Sequence, residues 1–340
     1  MFQAATIKHI AQALSVSPST VSRALRDSHE VSTDTKKLVL EYAKKINYRS
    51  NPNAQSLKSR RSNAIGVLVA DVANSFFSQA INGIESVAYD KGYHVIITQS
   101  HDRYDREVIN MEHLANRSVD GLLISMSSQT TDYNHVTDLH QKGLPMVFFD
   151  RIIDEVDTFK VTTDNVQSAF EATSLLLEKG FRQIGFLGNA PQLSITIDRL
   201  KGYGDALKRY GLGPHPDLVS YCYEGGRNYD EVKMAITALF SSEPPMDALL
   251  IGSDQISTEA VRVLTTFDNP RKVTIIGFSN SEVIDLWSPR ISYIRQNAVE
   301  MGKIAAQKLI ALIESKYPVH EFETTLVSSE LHFLNENIKE

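Results

Sequence analysis

The chain has 340 residues, 42% of them hydrophobic, which suits two or three domains with a large buried core and excludes wholesale disorder. No run of about 18 apolar residues occurs, so no membrane-spanning helix is expected. The single cysteine, Cys222, rules out an intramolecular disulfide and argues against a cysteine-built metal cluster. The net charge of −6 is unevenly spread: up to Arg61, eleven Lys and Arg face four acids, a balance of +7, which leaves −13 for the rest. A basic head on an acidic body is the footprint of a nucleic-acid-binding module joined to a part with another task. Met1 to Thr6 show no basic stretch followed by an apolar one, and a cytoplasmic location is expected.

In chain order, the first element is a short helix over 6–14, with Thr6 at its N-cap and Ile7, Ile10, Ala11 and Leu14 on one face. Ser15-Val16 make a turn. Ser17 then caps a second helix that places Pro18 at its first position, where a missing N–H costs nothing. Val21, Ala24 and Leu25 face inward, leaving Ser19, Thr20, Ser22 and Arg23 outside. A third helix, capped by Ser32, runs from about Thr33 to Ile46 and stops at Asn47. Two short helices with a tight turn and a small polar face carrying one Arg fit a DNA-binding helix-turn-helix. Its second helix enters the major groove, where an Arg bidentate to guanine supplies about 1–3 kcal/mol of discrimination. The bland alternative is an ordinary three-helix cap with exposed Ser and Thr.

The ordered series Thr6-Ile-Lys-His-Ile-Ala, Val16-Ser17-Pro18-Ser19-Thr20-Val21-Ser22-Arg23-Ala24-Leu25, Val31-Ser32, Tyr48 and Asn51-Pro52-Asn53-Ala54-Gln55-Ser56-Leu57 resembles the head of the LacI/GalR family of bacterial repressors. The resemblance implies that Pro18, Ser19 and Arg23 read major-groove bases, and that Thr20, Ser22, Ser32 and Thr35 touch phosphates. It also makes the stretch after Ser50 a hinge helix that folds in the minor groove, with Asn51, Ala54 and Leu57 on DNA. Leu57 is then the apolar wedge that kinks the duplex, and Lys58, Arg60 and Arg61 neutralise phosphate around it. A flexible tether is the other reading of that stretch. Ser15 departs from the family, which often has glycine in this turn. A left-handed backbone there costs a non-glycine residue about 1–2 kcal/mol.

From Ala64 short apolar runs alternate with amphipathic stretches. Strands are predicted over 64–70, 94–98, 121–124, 146–149, 184–187, 248–251 and 273–276, with helices over 76–91, 166–179, 200–210, 229–240 and 297–315. This alternation predicts parallel sheets with helices on both faces. The joints Lys91-Gly92-Tyr93 and Lys179-Gly180-Phe181 look like a repeated unit with a glycine C-cap, which suggests two similar lobes with a cleft between them. The expected fold is thus a small all-α helix-turn-helix domain followed by a two-lobed α/β body with parallel sheets. The family resemblance extends through Ile65-Gly66-Val67, Val119-Asp120-Gly121-Leu122, Phe149-Asp150-Arg151, Thr163-Asp164-Asn165, Ile276-Gly277-Phe278 and Met301-Gly302, and implies a type I periplasmic-binding-protein-like body. The expected domains are 1–49 (DNA-binding), 50–61 (hinge) and 62–340 (effector-binding and dimerisation). By the same likeness the chain passes between lobes near Asp164, Ile291 and Glu323, giving a first lobe of about 62–162 plus 292–322 and a second of about 163–291 plus 323–340.

Ligands of open α/β sheets bind beyond the carboxyl ends of strands. The polar and aromatic residues there are Asp71, Asn74, Phe76, Arg151, Ser194, Arg199, Asp254 and Asn280. Arg and Asp offer paired donors or acceptors to vicinal hydroxyls, and Phe76 or Phe77 can stack on an apolar sugar face. By resemblance Arg199 matches a position that commonly holds the effector. Interlobe salt bridges and helix caps are the bland roles for the same side chains. The family often has an Asp after Gly277-Phe278, where this chain has Ser279-Asn280, so no particular sugar is implied.

No glycine-rich phosphate loop ending in Lys-Ser/Thr occurs, His135 and His140 lack a metal-helix spacing and are expected on a solvated helix face, and Ser125 to Ser128 lack nucleophile-elbow glycines. Neither catalysis, metal nor cofactor is expected. The reading is a homodimeric, sequence-specific transcription regulator, in all expectation a repressor. Its partners are a pseudo-palindromic duplex and a small effector, a sugar or sugar derivative, with no membrane. The C-terminal stretch from Leu331 shows no leucine heptad, which favours a dimer. The rivals are a sugar-binding protein or sugar-processing enzyme with an accessory head, and an architectural DNA-bending protein.

Overall fold

A computed structural model describes residues 6–48, 61–116, 119–266 and 273–334. The chain divides into two units, Met1–Ser62 and Asn63–Glu340. Asn51, Ala54 and Leu57 of the expected hinge lie outside the described residues, as do the last six residues of the C-terminal stretch.

The head holds three helices, α1 (Ile7–Ala13), α2 (Pro18–Ala24) and α3 (Thr33–Lys45). Each starts where a hydroxyl meets a free N–H. Thr6 and His9 form a reciprocal capping box, Ser17 accepts from the N–H of Thr20, and Ser32 from that of Thr35. Ile10, Ala11, Val21, Ala24, Val31, Val39 and Ala43 form the buried core. Ser15 lies in the left-handed region at φ 52°, and the N–H of Val16 closes back on the carbonyl of Ala11 at 3.0 Å. The turn thus takes the strained conformation expected of it, without the glycine that relieves the strain.

The body has two sheets. The first runs β11 (Thr324–Val327), β5 (Lys160–Thr163), β4 (Met146–Phe149), β3 (Gly121–Ile124), β1 (Ala64–Val69), β2 (His94–Gln99), and is parallel throughout. The second runs β12 (Ser329–His332), β10 (Ser292–Gln296), β9 (Thr274–Phe278), β8 (Ala248–Ile251), β6 (Ile184–Asn189), β7 (Val219–Cys222), and is parallel except for the β10–β12 pair. Central strands such as Met146–Phe149 and Ala248–Ile251 are buried at every residue, as helices on both faces require.

The first lobe carries α4 (Ser75–Asp90), α5 (Tyr104–Asn116), α6 (Asn134–Gln141) and α11 (Ala298–Glu314). The second carries α7 (Asn165–Glu178), α8 (Ser194–Arg209), α9 (Tyr229–Phe240) and α10 (Asp254–Leu264). The repeated Lys-Gly-aromatic joints are real structural equivalents. Gly92 and Gly180 have φ of 75° and 92°, and the N–H groups of Tyr93 and Phe181 reach back to Ala88 and Leu176 at 2.8 and 3.1 Å. The helices α4 and α11 touch backbone to backbone: a Cβ on Gly302 would stand 2.0 Å from the carbonyl oxygen of Ala80.

The chain leaves the first sheet at Asp164, which caps α7. It returns at Asn297 rather than near Ile291, because Ser292–Gln296 is bonded to β9 and β12 of the second sheet. The last passage is at Ser328 rather than near Glu323, because Thr324–Val327 pairs with β5. The first lobe therefore gives up 292–296 and gains 324–327. Strands β5, β7, β10, β11 and β12 and helices α5, α6 and α10 are absent from the sequence-based set. The α5 face explains one omission, since its buried positions include Glu107 beside Met111 and Leu114. Glu107 accepts from the N–H of Ser127 at 2.7 Å and the hydroxyl of Thr130 at 2.8 Å, and bonds Nε2 of His135 at 2.9 Å. His135 is thus buried against a carboxylate, not on a solvated face. No described helix is long and apolar enough to cross a membrane.

Candidate functional site

Two surfaces gather the residues singled out by sequence. The first is the outer face of α2. Its inward positions, Val21 and Ala24, are buried, which leaves Pro18, Ser19 and Arg23 exposed and Thr20 and Ser22 half-buried. The hydroxyl of Ser17 bonds those of Ser19 and Thr20 at 2.7 and 2.8 Å, and Ser32 bonds Thr35 at 2.9 Å. Arg26 donates to the hydroxyl and carbonyl of Ser22 at 2.5 and 3.1 Å, and Nε of Arg23 lies 2.9 Å from Glu30. The face offers small hydroxyls and two guanidiniums at the start of α2, α3 and along α2, which is donor chemistry for phosphates and base edges.

The second surface is a cleft between the two lobes, at the carboxyl ends of the strands. Of the eight residues expected there, Asp71, Asn74, Phe76, Arg151, Arg199 and Asp254 line it. Ser194 and Asn280 do not. The hydroxyl of Ser194 accepts from the N–H of Ile152 at 3.0 Å, a bond that ties the lobes. Asn280 is saturated: its amide donates to Gln79 and to the carbonyl of Gln296 at 2.8 and 2.7 Å, and accepts from the N–H of Gln296 at 3.1 Å. Both therefore join the lobes: Asn280 spends its amide on protein partners, and Ser194 accepts from across the cleft.

The cleft is lined from both lobes. Asn74 caps α4, accepting from the N–H groups of Phe76 and Phe77 at 3.0 and 3.3 Å. This seats the two rings edge to face, with centroids 5.3 Å apart. Arg199, on α8, is 1% exposed. It stacks 3.7 Å over the ring of Phe278 and donates to Asn165 and to the carbonyl of Gly252, both at 2.8 Å. Its Nη2 has no hydrogen-bond partner, nor does Nε of Arg151. Arg151 donates to Asp102 and, at 3.1 Å, to the carbonyl of Met126, with Phe77 beneath it. Buried polar atoms without a hydrogen bond are costly, and these two donors belong to side chains that line the cleft.

Burial sets the direction of the shift at Arg199, Asp150 and Asp254. It pulls the Arg199 guanidinium down to about 10, although Asp150 draws it back. Burial raises the Asp150 carboxyl, opposed by Arg151 and Arg199. Asp254 is likewise raised by burial and steadied by bonds from the N–H of Asn280, at 2.8 Å, and from Ser279, Phe76 and Asn74. Asp71 pairs across the mouth with Arg227.

Asp102, Asp150, Arg227, Gln255 and Gln296 line the cleft without having been singled out. Asp150 and Asp102 follow β4 and β2, so the strand-end rule that found Arg151 could have found them. Arg227 follows β7 and Gln296 ends β10, strands that the pattern did not reveal.

The profile "Bacterial regulatory proteins, lacI family" matches residues 6–51, and "Periplasmic binding proteins and sugar binding domain of LacI family" matches residues 62–334. Catabolite control protein A of Priestia megaterium is 29% identical over 307 residues, covering 89% of this chain and 91% of that protein. Among solved structures, the transcriptional regulator CelR–cellobiose complex superposes with a TM-score of 0.69 at 26% identity, over 96% of this chain and 98% of its own. The Lac repressor dimer bound to operator and the anti-inducer ONPF superposes with a TM-score of 0.76 at 21% identity, over 97% and 98%, a likeness of fold. These relatives are named as regulators or control proteins. With both parts matched and nearly the whole length shared, the chain belongs to the LacI family of DNA-binding transcription regulators, a helix-turn-helix head joined to a periplasmic-binding-protein-like body.

Proposed function

We propose that the chain is a homodimeric repressor whose two heads bind a pseudo-palindromic operator and whose interlobe cleft binds a small neutral sugar or sugar derivative, with no catalysis. The observation that carries this reading is the cleft: six expected residues converge there from two lobes, and two buried guanidiniums hold unpartnered N–H groups. A polyhydroxylated ligand supplies acceptors to Arg151 and Arg199, donors to Asp150 and Asp254, and an apolar face to Phe76 or Phe77. In the head, Pro18, Ser19 and Arg23 read bases, while Thr20, Ser22, Ser32 and Thr35 hold phosphates. Asn51, Ala54 and Leu57 follow in the minor groove. Binding in the cleft controls DNA because the ligand favours one spacing of the lobes over another, and a ligand without that preference shifts nothing.

The test is selection of bound sites from a random duplex pool at moderate salt, repeated with D-ribose, D-glucose and cellobiose. A palindrome with fixed half-site spacing, released by one sugar, is the expected result. Binding without any motif would point instead to an architectural protein, and turnover of a sugar to an enzyme.

A further inference from the structure

The head has four acids, and three have ordinary places. Asp27 bonds Lys36 at 2.7 Å, Asp34 sits in the first turn of α3, where the helix dipole favours it, and Glu41 is exposed along α3. Glu30 is different. Its carboxylate meets Nε of Arg23 at 2.9 Å on the face that carries Ser19 and Thr20, with both side chains about half exposed. The backbone holds it there. After α2 the chain reverses through Asp27 at φ 56°, and the N–H of Ser28 closes on the carbonyl of Arg23 at 3.1 Å. One residue beyond Glu30, Val31 is buried in the core and Ser32 caps α3. The loop is thus fixed at both ends, and Glu30 is returned over the last turn of α2.

A guanidinium has five N–H donors in a planar fork. A carboxylate paired on the Nε side leaves the two terminal nitrogens as an end-on pair, which matches O6 and N7 of guanine. An unheld arginine must instead lose its rotamer freedom when it docks, a cost that pre-ordering removes. An exposed ion pair adds little to stability, and a carboxylate facing phosphates weakens binding to any sequence. We infer that Glu30 is a positioning residue for DNA reading: it holds Arg23 by Nε with the fork presented to guanine, giving up non-specific affinity for discrimination.

This rests on Arg23 being a base reader, and the experiment separates the two. Full-length wild type, R23A, E30A, E30Q and the double variant R23A/E30A are each run through site selection and through titration of the selected duplex and a scrambled duplex at several salt concentrations. Thermal unfolding checks that each folds. E30A is expected to bind scrambled duplex about two- to fivefold more tightly, with a steeper salt dependence, yet to lose about five- to tenfold in the ratio of selected to scrambled affinity. The loss falls at the base pair that R23A also relaxes. E30Q, which removes the charge that makes the ion pair, is expected to match E30A in both the lost base preference and the raised background. In the R23A background E30A costs no further preference. An E30A protein with unchanged preference at that base pair, or an equal loss with Arg23 already removed, overturns the inference. An R23A protein that selects the wild-type site overturns the base-reading role itself and this inference with it.

Discussion

Two arginines carry the contrast between the head and the body. Arg23 is half exposed and paired with Glu30. Arg199 is buried, stacked on Phe278, bonded to Asn165 and Gly252, and pulled down to about 10 by its burial. The head keeps its working groups in water until a duplex arrives, so most of their desolvation is met on docking. The body has met that cost on folding, which pre-organises the cleft but binds its chemistry to its stability. The same residue type therefore answers differently to mutation in the two places.

The largest effect is expected at Arg199. Arg199→Met should weaken binding of whichever sugar releases the operator on the order of 100-fold, because charge-assisted bonds are lost in a dry site, while sugar-free operator affinity stays within about threefold. Calorimetric titration and operator gel shifts read the two. An equal loss of operator binding would mean that Arg199 chiefly holds the fold, and the contrast would fail.

Next is Gly302→Ala, which puts a methyl 2.0 Å from a backbone oxygen of α4 and should destabilise the body by about 1–3 kcal/mol. A thermal unfolding scan showing no drop would mean that the α4–α11 contact is looser than described. Arg23→Ala should leave stability within about 0.5 kcal/mol, as an exposed site does, and cost about 1–3 kcal/mol of preference at one base pair per half-site. A marked fall in melting temperature would place Arg23 in the same class as Arg199. The smallest is Ser15→Gly, expected to stabilise the head by about 1 kcal/mol by relieving a left-handed φ of 52°, with operator sequence preference unchanged.

The head was almost wholly legible. Its signals are local: a hydroxyl before each helix, Pro18 at a first helical position, and apolar residues at helical spacing. The structure moves the helix ends by no more than a residue or so. The body was legible in part. Strands such as Met146–Phe149 and Ala248–Ile251 are continuous apolar runs because both their faces are covered. Two strands at sheet edges are not: Val219–Cys222 is half-buried up to the buried Cys222, and Thr324–Val327 is exposed or half-buried up to the buried Val327. With β7 and β10 unseen, Arg227 and Gln296 had no strand end to belong to. The cleft was therefore found from the residues after the visible strands and missed those after the hidden ones.

The sequence by itself determined the local and one-dimensional facts: a basic head, three capped helices, an α/β alternation, and the polar residues that follow each central strand. Only the tertiary structure decided what those polar residues face. Asn280 and Ser194 stand at strand or helix ends like Asp254, yet their bonds close on protein atoms, while Arg199 keeps an unpaired donor in the cleft. Glu30 likewise is one more acid in a polar loop until the reversal at Asp27 brings it to Arg23. The reason is physical: capping and periodicity act over a few residues of chain. Whether a buried polar atom is satisfied depends on groups 34 to 201 residues away, as with Arg199 and Asn165 or Asn280 and Gln79.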